Sequence, residues 1–191
     1  MLFRSQLALC QALGRPVAIG KGLNSVAWAL IRLGRHDEAL PLLFGAAEIF
    51  ERHHVDYVLP HVYHSLAEAL LNCGRGEEAR DYLERGLESA RHGGEVGTVA
   101  DFHCLLARQA AAADRADEAR VQFEEALRVC EGTGLEPQQA QICLDYGEFL
   151  LRIGDRDAAV RRCEEALTIR RRLGTDDVPE AEAALTRARG G

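Results

Sequence analysis

His61, His64 and Glu68 are spaced by three and four residues, so a helix would set two imidazoles and a carboxylate on one face. Such a trio can hold a zinc ion or position a water for hydrolysis. The same spacing arises whenever a helix presents a polar face, and neither an assured fourth ligand nor a metalloprotease motif accompanies it. Polar groove, metal centre and plain surface are the three readings, and the polar groove is carried forward. The cysteines are the other candidates for chemistry. Cys10, Cys73, Cys104, Cys130, Cys143 and Cys163 contain no Cys-x-x-Cys pair and read as small buried hydrophobes in a reducing compartment. No nucleophile-and-base arrangement and no cofactor fingerprint occurs, so we expect no catalysis, no cofactor and no bound metal.

The elements that must position these residues are announced by a repeat. Gly34-Arg-His-Asp-Glu-Ala39, Gly74-Arg-Gly-Glu-Glu-Ala79, Asp114-Arg-Ala-Asp-Glu-Ala119 and Gly154-Asp-Arg-Asp-Ala-Ala159 recur every 40 residues. Gly14, His54, Gly94, Gly134 and Gly174 keep the same period, each closing a helix-like stretch. Each unit therefore predicts two helices. Leu23, Val26, Ala27, Leu30 and Leu33 form the apolar stripe of the first, and Ala39, Leu43, Ala46 and Ala47 begin that of the second. Gly suits the left-handed cap between them, and the acids that follow suit the next helix's positive end. Pro137 and Pro179 fall where helices should begin, whereas Pro41 lies a turn inside one and predicts a distortion there.

Columns across the repeat specify packing. Leu43, Leu83, Phe123 and Cys163 form one; Leu33, Cys73, Ala113 and Ile153 another; Ala27, Ala67, Ala107 and Gly147 a third; Ala39, Ala79, Ala119 and Ala159 a fourth. Small residues let helices approach while large ones fill the gaps, and stability comes from stacked neighbours.

The small residue eight positions into the first helix, the Gly turn, the Asp/Glu-Ala start of the second helix and its second Ala resemble the tetratricopeptide repeat. The resemblance spans nearly the whole chain and implies an all-α, right-handed α-solenoid. We expect a half-repeat helix at residues 1–14, repeats at 15–54, 55–94, 95–134 and 135–174, and a capping helix at 175–191. The string Leu23-Asn-Ser-Val-Ala-Trp28-Ala-Leu-Ile-Arg-Leu-Gly34 further resembles the C-terminal repeats of bacterial antibiotic-regulatory, signal-transducing ATPase (STAND-type) regulators. By analogy with the family, the concave groove would show Lys21, Asn24, Trp28 and Arg32 from the first repeat. It would show His61, His64, Glu68 and Asn72 from the second, Asp101, Cys104 and Arg108 from the third, and Gln141, Asp145, Glu148 and Arg152 from the fourth. Trp28, the only Trp, is the best anchor, since the buried column falls on Ala27. The Lys, Asn and Arg pattern that grips a terminal carboxylate in chaperone-binding members is not reproduced, so capture of a free C-terminus is not expected.

Charge and hydropathy bound the partner. The net charge of −7 argues against a general nucleic-acid surface, although residues 1–36 carry five basic and no acidic side chains. Arg161, Arg162, Arg170, Arg171 and Arg172 read by default as a solvated face beside Glu164 and Glu165, with a basic patch for phosphate or an acidic partner as the alternative. No apolar run reaches the roughly 18 residues of a membrane span, and Met1-Leu2-Phe3-Arg4 does not open a signal peptide, so we expect a cytoplasmic protein with no membrane partner. The sequence reads as a protein-interaction scaffold, holding a peptide or protein segment in a bacterial regulatory system. The alternatives are a sensor array for a small molecule or signalling peptide and, last, a metal-dependent enzyme. The opening half-repeat, read as a piece of something longer, suggests homo-oligomerisation through that exposed helix.

Overall fold

A computed structural model describes residues 15–190, and these divide into two compact units, the first ending at Thr98 and the second beginning at Val99. Among the described residues the secondary structure is helical, with no strand. Unit 1 holds α1 (Pro16–Arg32), α2 (His36–Arg52), a short 3-10 turn (Asp56–Val58), α3 (Leu59–Asn72) and α4 (Gly76–His92). Helix α5 (Val96–Ala112) starts at the close of unit 1 and supplies the first helix of unit 2, followed by α6 (Ala116–Cys130), α7 (Glu136–Arg152), α8 (Arg156–Leu173) and α9 (Val178–Arg189). The expected helix at residues 1–14, and Cys10 with it, lies outside the described residues.

Helix ends follow the 20-residue beat set by the turn residues. Gly34, Gly74, Gly94, Gly134, Gly154 and Gly174 all take positive φ, and so do the two residues standing in their places, His54 (φ 52°) and Asp114 (φ 57°). At the α1, α2, α3, α4, α5, α7 and α8 ends the amide just past this residue returns to a carbonyl of the last turn, as Arg35 N–H does to Leu30 O (2.9 Å) and Val55 N–H to Phe50 O (2.9 Å). This is the paired-bond closure that satisfies a helix's last carbonyls. A Cβ in the left-handed region is strained, more for His than for Asp. Replacing His54 by Gly should therefore stabilise the protein by about 1 kcal/mol, and Asp114→Gly by less. Thermal unfolding by circular dichroism checks this; a lower Tm for His54→Gly would show that its side chain makes a compensating contact.

The start of the second helix in each pair explains the repeated Gly-Arg-x-x-Glu-Ala string. Arg35, Arg75 and Arg115 each reach forward one turn to Glu38, Glu78 and Glu118, at 2.6, 2.7 and 2.6 Å. In the fourth repeat Asp155 replaces the Arg. It caps α8 by accepting from Ala158 N–H (3.3 Å) and takes the guanidinium of Arg120 on α6 (2.7 Å). Pro137 and Pro179 stand in the first turns of α7 and α9, where a missing N–H costs nothing.

Three of the four columns are buried. Ala39, Ala79, Ala119 and Ala159 are fully buried, as are Ala27, Ala67 and Ala107; Leu43, Leu83, Phe123 and Cys163 are buried at their side. Gly147 completes the small column because a Cβ there would stand 2.9 Å from Cys163 Sγ. The fourth column corrects the expectation. Leu33 is 70% exposed, Ile153 and Ala113 are exposed and Cys73 is partly so. Each directly precedes the positive-φ residue, where the helix has ended and the side chain projects past its neighbours. Ile31, which the stripe omitted, is buried in Leu33's stead. Pro41 also behaves differently from expectation, since α2 runs unbroken from His36 to Arg52 around it. The ring sits on the exposed side, at the sixth residue of the helix, where the only amide bond lost is to the first turn.

Unit 1 is tied across α2, α3 and α4 by Glu51, Tyr63 and Arg85. Tyr63 OH donates to Glu51 Oε1 (2.6 Å), Arg85 Nη2 donates to the same oxygen (2.6 Å), and the guanidinium lies 4.6 Å from the Tyr63 ring centroid. Burial and the Glu51 contact push the Tyr63 phenol well up. In unit 2 the equivalent centre is apolar, with Phe123 stacked on Tyr146 at 4.9 Å and 12° and tilted against Phe149 at 5.6 Å.

Candidate partner-binding faces

The residues expected to line a groove are borne by the first helix of each pair, and the two units treat them differently. In unit 1, Lys21, Trp28 and Arg32 are exposed on α1, and His61 and Asn72 on α3; Asn24, His64 and Glu68 are partly buried. Trp28 is 60% exposed. Ala27 takes the core position beside it and turns the indole outward, as the column predicts. Asn24 Oδ1 is buried with no hydrogen-bond partner. Lys21 Nζ donates to Tyr57 OH (3.3 Å) and lies 5.8 Å from that ring's centroid. Tyr57, 66% exposed in the 3-10 turn before α3, thus joins the face. Sequence reasoning missed it because it occupies a connection and no helical column. His61 Nε2 stands 3.4 Å from Glu95 Oε2, a contact within unit 1 that the one-helix reading of His61, His64 and Glu68 did not include. Among the described residues, no three His, Cys, Asp or Glu side chains converge as a metal site would require.

In unit 2 most of the corresponding residues are engaged by neighbouring side chains. Asp101 on α5 accepts from Gln138 on α7. Gln141 Nε2 donates to Asp145 Oδ1 (3.0 Å), while Gln141 Oε1 accepts from Arg170 Nη2 (2.8 Å). Glu148 takes Arg187 of α9 (3.1 Å), and the Arg152 guanidinium lies 5.7 Å from the Phe149 ring centroid. Cys104 is buried, which removes it from the face. Its thiol pKa is pushed well up, by burial first and then by Asp145 and Asp101, with Arg108 opposing.

Asp145 is the titratable group of interest here. Burial raises its pKa above the usual carboxyl value, the hydrogen bond from Gln141 and the Arg108 charge oppose this, and Glu148 and Glu180 add to it. An acid whose folded pKa lies above its unfolded one binds its proton more tightly when folded. Its ionised form therefore costs stability at neutral pH, and the cost disappears as pH falls through the folded value toward the unfolded one near 4. Asp145→Asn keeps an acceptor for Gln141 without the charge. It should raise Tm at pH 7 by about 1–2 °C and lose that advantage at pH 4; a lower Tm at pH 7 would mean that attraction to Arg108 outweighs burial.

The arginines of α8 do not form the basic patch that the sequence left as an alternative to a solvated face. Arg170 is buried, at 2% exposure, and binds Asp177 and Glu180 as well as Gln141. Arg162 pairs with Glu165, Arg171 with Glu182 and Arg172 with Glu136. Four of the five Arg charges are met by acids: Arg162 by Glu165 on its own helix, and Arg170, Arg171 and Arg172 by carboxylates of α7, α9 and the turn before α9. The cysteines, in turn, pack as expected: Cys104, Cys130, Cys143 and Cys163 are buried and Cys73 is partly so, all as free thiols. Buried His103, with Nδ1 2.8 Å from Gln122 Oε1, escaped the sequence reading, which had no column to flag it.

Two stretches of the unit 1 sequence match family models. One for the tetratricopeptide repeat fits residues 61–92, across α3 and α4, and another fits residues 27–43, across α1 and α2. These segments match the tetratricopeptide repeat, the first over a helix pair and the second over half of one. Solved structures extend the fold likeness over the rest of the chain. BtubC (BKLC) from P. vanneervenii superposes with a TM-score of 0.75 at 20% identity, covering 98% of this chain and 83% of that one. Repeats of a Podosopora anserina putative kinesin light chain, described as nearly identical and TPR-like, superpose at 0.68 and 19% identity, covering 91% and 86%. Among curated proteins none matches. No described helix is long and apolar enough to cross a membrane.

Proposed function

We propose that the protein is a non-catalytic interaction scaffold that holds a protein or peptide segment, and that the α1/α3 face of unit 1 is its principal docking surface. Tetratricopeptide repeats generally mediate protein–protein interaction. The observation that carries the reading here is Trp28, a large aromatic left 60% exposed on a helix that also presents Lys21 and Arg32. An exposed aromatic flanked by cations is the composition of a binding hot spot. Helix α1 contains no acid, so the segment it holds should bring an apolar anchor together with carboxylates. His61, His64, Glu68 and Asn72 border the same face. The unit 2 set, Asp101, Arg108, Gln141, Asp145, Glu148 and Arg152, plays a secondary part. The resemblance of residues 23–34 to bacterial regulators supports a regulatory, cytoplasmic setting.

Pull-down from the source lysate with wild type, Trp28→Ala and Trp28→Ala/Arg32→Ala in parallel tests this. Truncating a central aromatic anchor should weaken capture of a specific partner by at least about tenfold, equivalent to 1.4 kcal/mol, with unchanged circular dichroism. Undiminished capture by both variants would rule the α1/α3 face out.

A further inference from the structure

Helix α9 is held by a small apolar seam and, at its start, by the buried Arg170 that pairs with Asp177 and Glu180. It buries Ala181, Ala184, Leu185 and Ala188, three of them alanines, so its docking removes little apolar surface from water. Around that seam run ion pairs to both neighbours. Arg187 reaches Glu148 on α7 (3.1 Å), Arg189 reaches Glu164 on α8 (2.6 Å), Glu182 takes Arg171 (2.7 Å) and Glu180 takes Arg170 (2.9 Å). Except for Arg170, these side chains are about half exposed, and exposed pairs are weak and screened by salt. Beyond the Arg170 anchor at its start, a helix with few buried apolar side chains and water-accessible ion pairs is the kind that opens from its far end without global unfolding.

What α9 covers gives the opening a consequence. Arg187 occupies Glu148, and Glu180 acts through Arg170 on Gln141, both on the α7 face. We infer that α9 is a releasable, autoinhibitory helix seated on an interaction edge of α7 and α8, and that this edge accepts a partner helix of α9's own chemistry. Such a helix carries small apolar residues spaced by three and four, a carboxylate for Arg170 toward its start and an arginine for Glu148 toward its end. The edge lies wholly in unit 2 and does not depend on the Trp28 reading.

Two measurements on the full chain decide it. Native-state hydrogen exchange should show the α9 amides exchanging at least about tenfold faster than those of α8, the gap widening from low to high NaCl. A labelled peptide of residues 175–190 serves as the probe in trans. Arg187→Ala/Arg189→Ala, which loosens the resident helix and leaves its seat intact, should bind the peptide several-fold more tightly than wild type does, up to about tenfold. Adding Glu148→Gln should weaken that binding. Equal exchange of α9 and α8 at both salt concentrations overturns the proposal. So does a loosened variant that shows fast α9 exchange yet takes up no peptide. A concentration-dependent dimer of that variant, with peptide excluded, overturns the partner assignment and gives the edge to α9 of a second copy.

Discussion

Phe123→Ala should cost unit 2 about 3–5 kcal/mol, the range for emptying a packed aromatic site. Phe123 is 2% exposed and lies between Tyr146 and Phe149, with ring centroids 4.9 and 5.6 Å away. It occupies the column that Leu43, Leu83 and Cys163 fill in the other repeats, so Phe123→Leu is the natural control. Leucine restores most of the volume and loses the stacked pair, and should recover more than half of the loss. Urea unfolding followed by far-UV circular dichroism reads both variants. If Phe123→Ala falls within about 1 kcal/mol of wild type, Tyr146 and Phe149 have collapsed into the space and the column carries less than its burial suggests. Tyr146 is held against such collapse, since the Arg162 guanidinium lies 5.2 Å from its ring and its OH donates to Glu124 (3.3 Å).

That prediction rests on a column legible before any coordinates, and the contrast with what was not legible is instructive. A 40-residue register puts residues in equivalent backbone positions, so the small column, the Ala column and the left-handed turns could be read directly, including His54 and Asp114 in glycine's place. Leu33, Cys73, Ala113 and Ile153 share a register as well, yet sit just before the chain reverses, where apolar identity does not ensure cover. Periodicity fixes which face a residue is on; it does not say how far that face extends along the helix. Trp28 illustrates the favourable case: its neighbour Ala27 is fully buried, and a step of one residue, about 100° around the helix, turns the indole out. The side-chain networks were the part that could not be read. Glu51, Tyr63 and Arg85 meet across three helices, and Tyr57 meets Lys21 from a turn. Long side chains reach between elements in ways that a one-dimensional spacing does not encode.

Arg170 is the clearest instance, and it carries the second large prediction. In sequence it stands in a run of three arginines and reads as surface. In the structure it is 2% exposed, because Asp177 and Glu180 at the start of α9 and Gln141 on α7 close around its guanidinium. Arg170→Ala should destabilise the protein by about 3 kcal/mol, the low end of the range for removing one partner of a buried ion pair. The low end applies because Asp177 and Glu180 are half exposed and can take up water, whereas Gln141 Oε1 loses a donor. Arg170→Met keeps the buried stem and should lose less, about 1–2 kcal/mol; Arg170→Lys keeps the charge but cannot serve three acceptors with a planar fork. The expected order of stability is therefore wild type, then Lys and Met, then Ala, read from urea midpoints at constant slope. Arg171→Ala and Arg172→Ala, one and two residues on, should each shift stability by under about 0.5 kcal/mol because their pairs with Glu182 and Glu136 are exposed. If all three alanine variants behaved alike, the run would be a solvated face after all, and the arrangement of Gln141, Asp177 and Glu180 around Arg170 would contribute nothing to holding α9 in place.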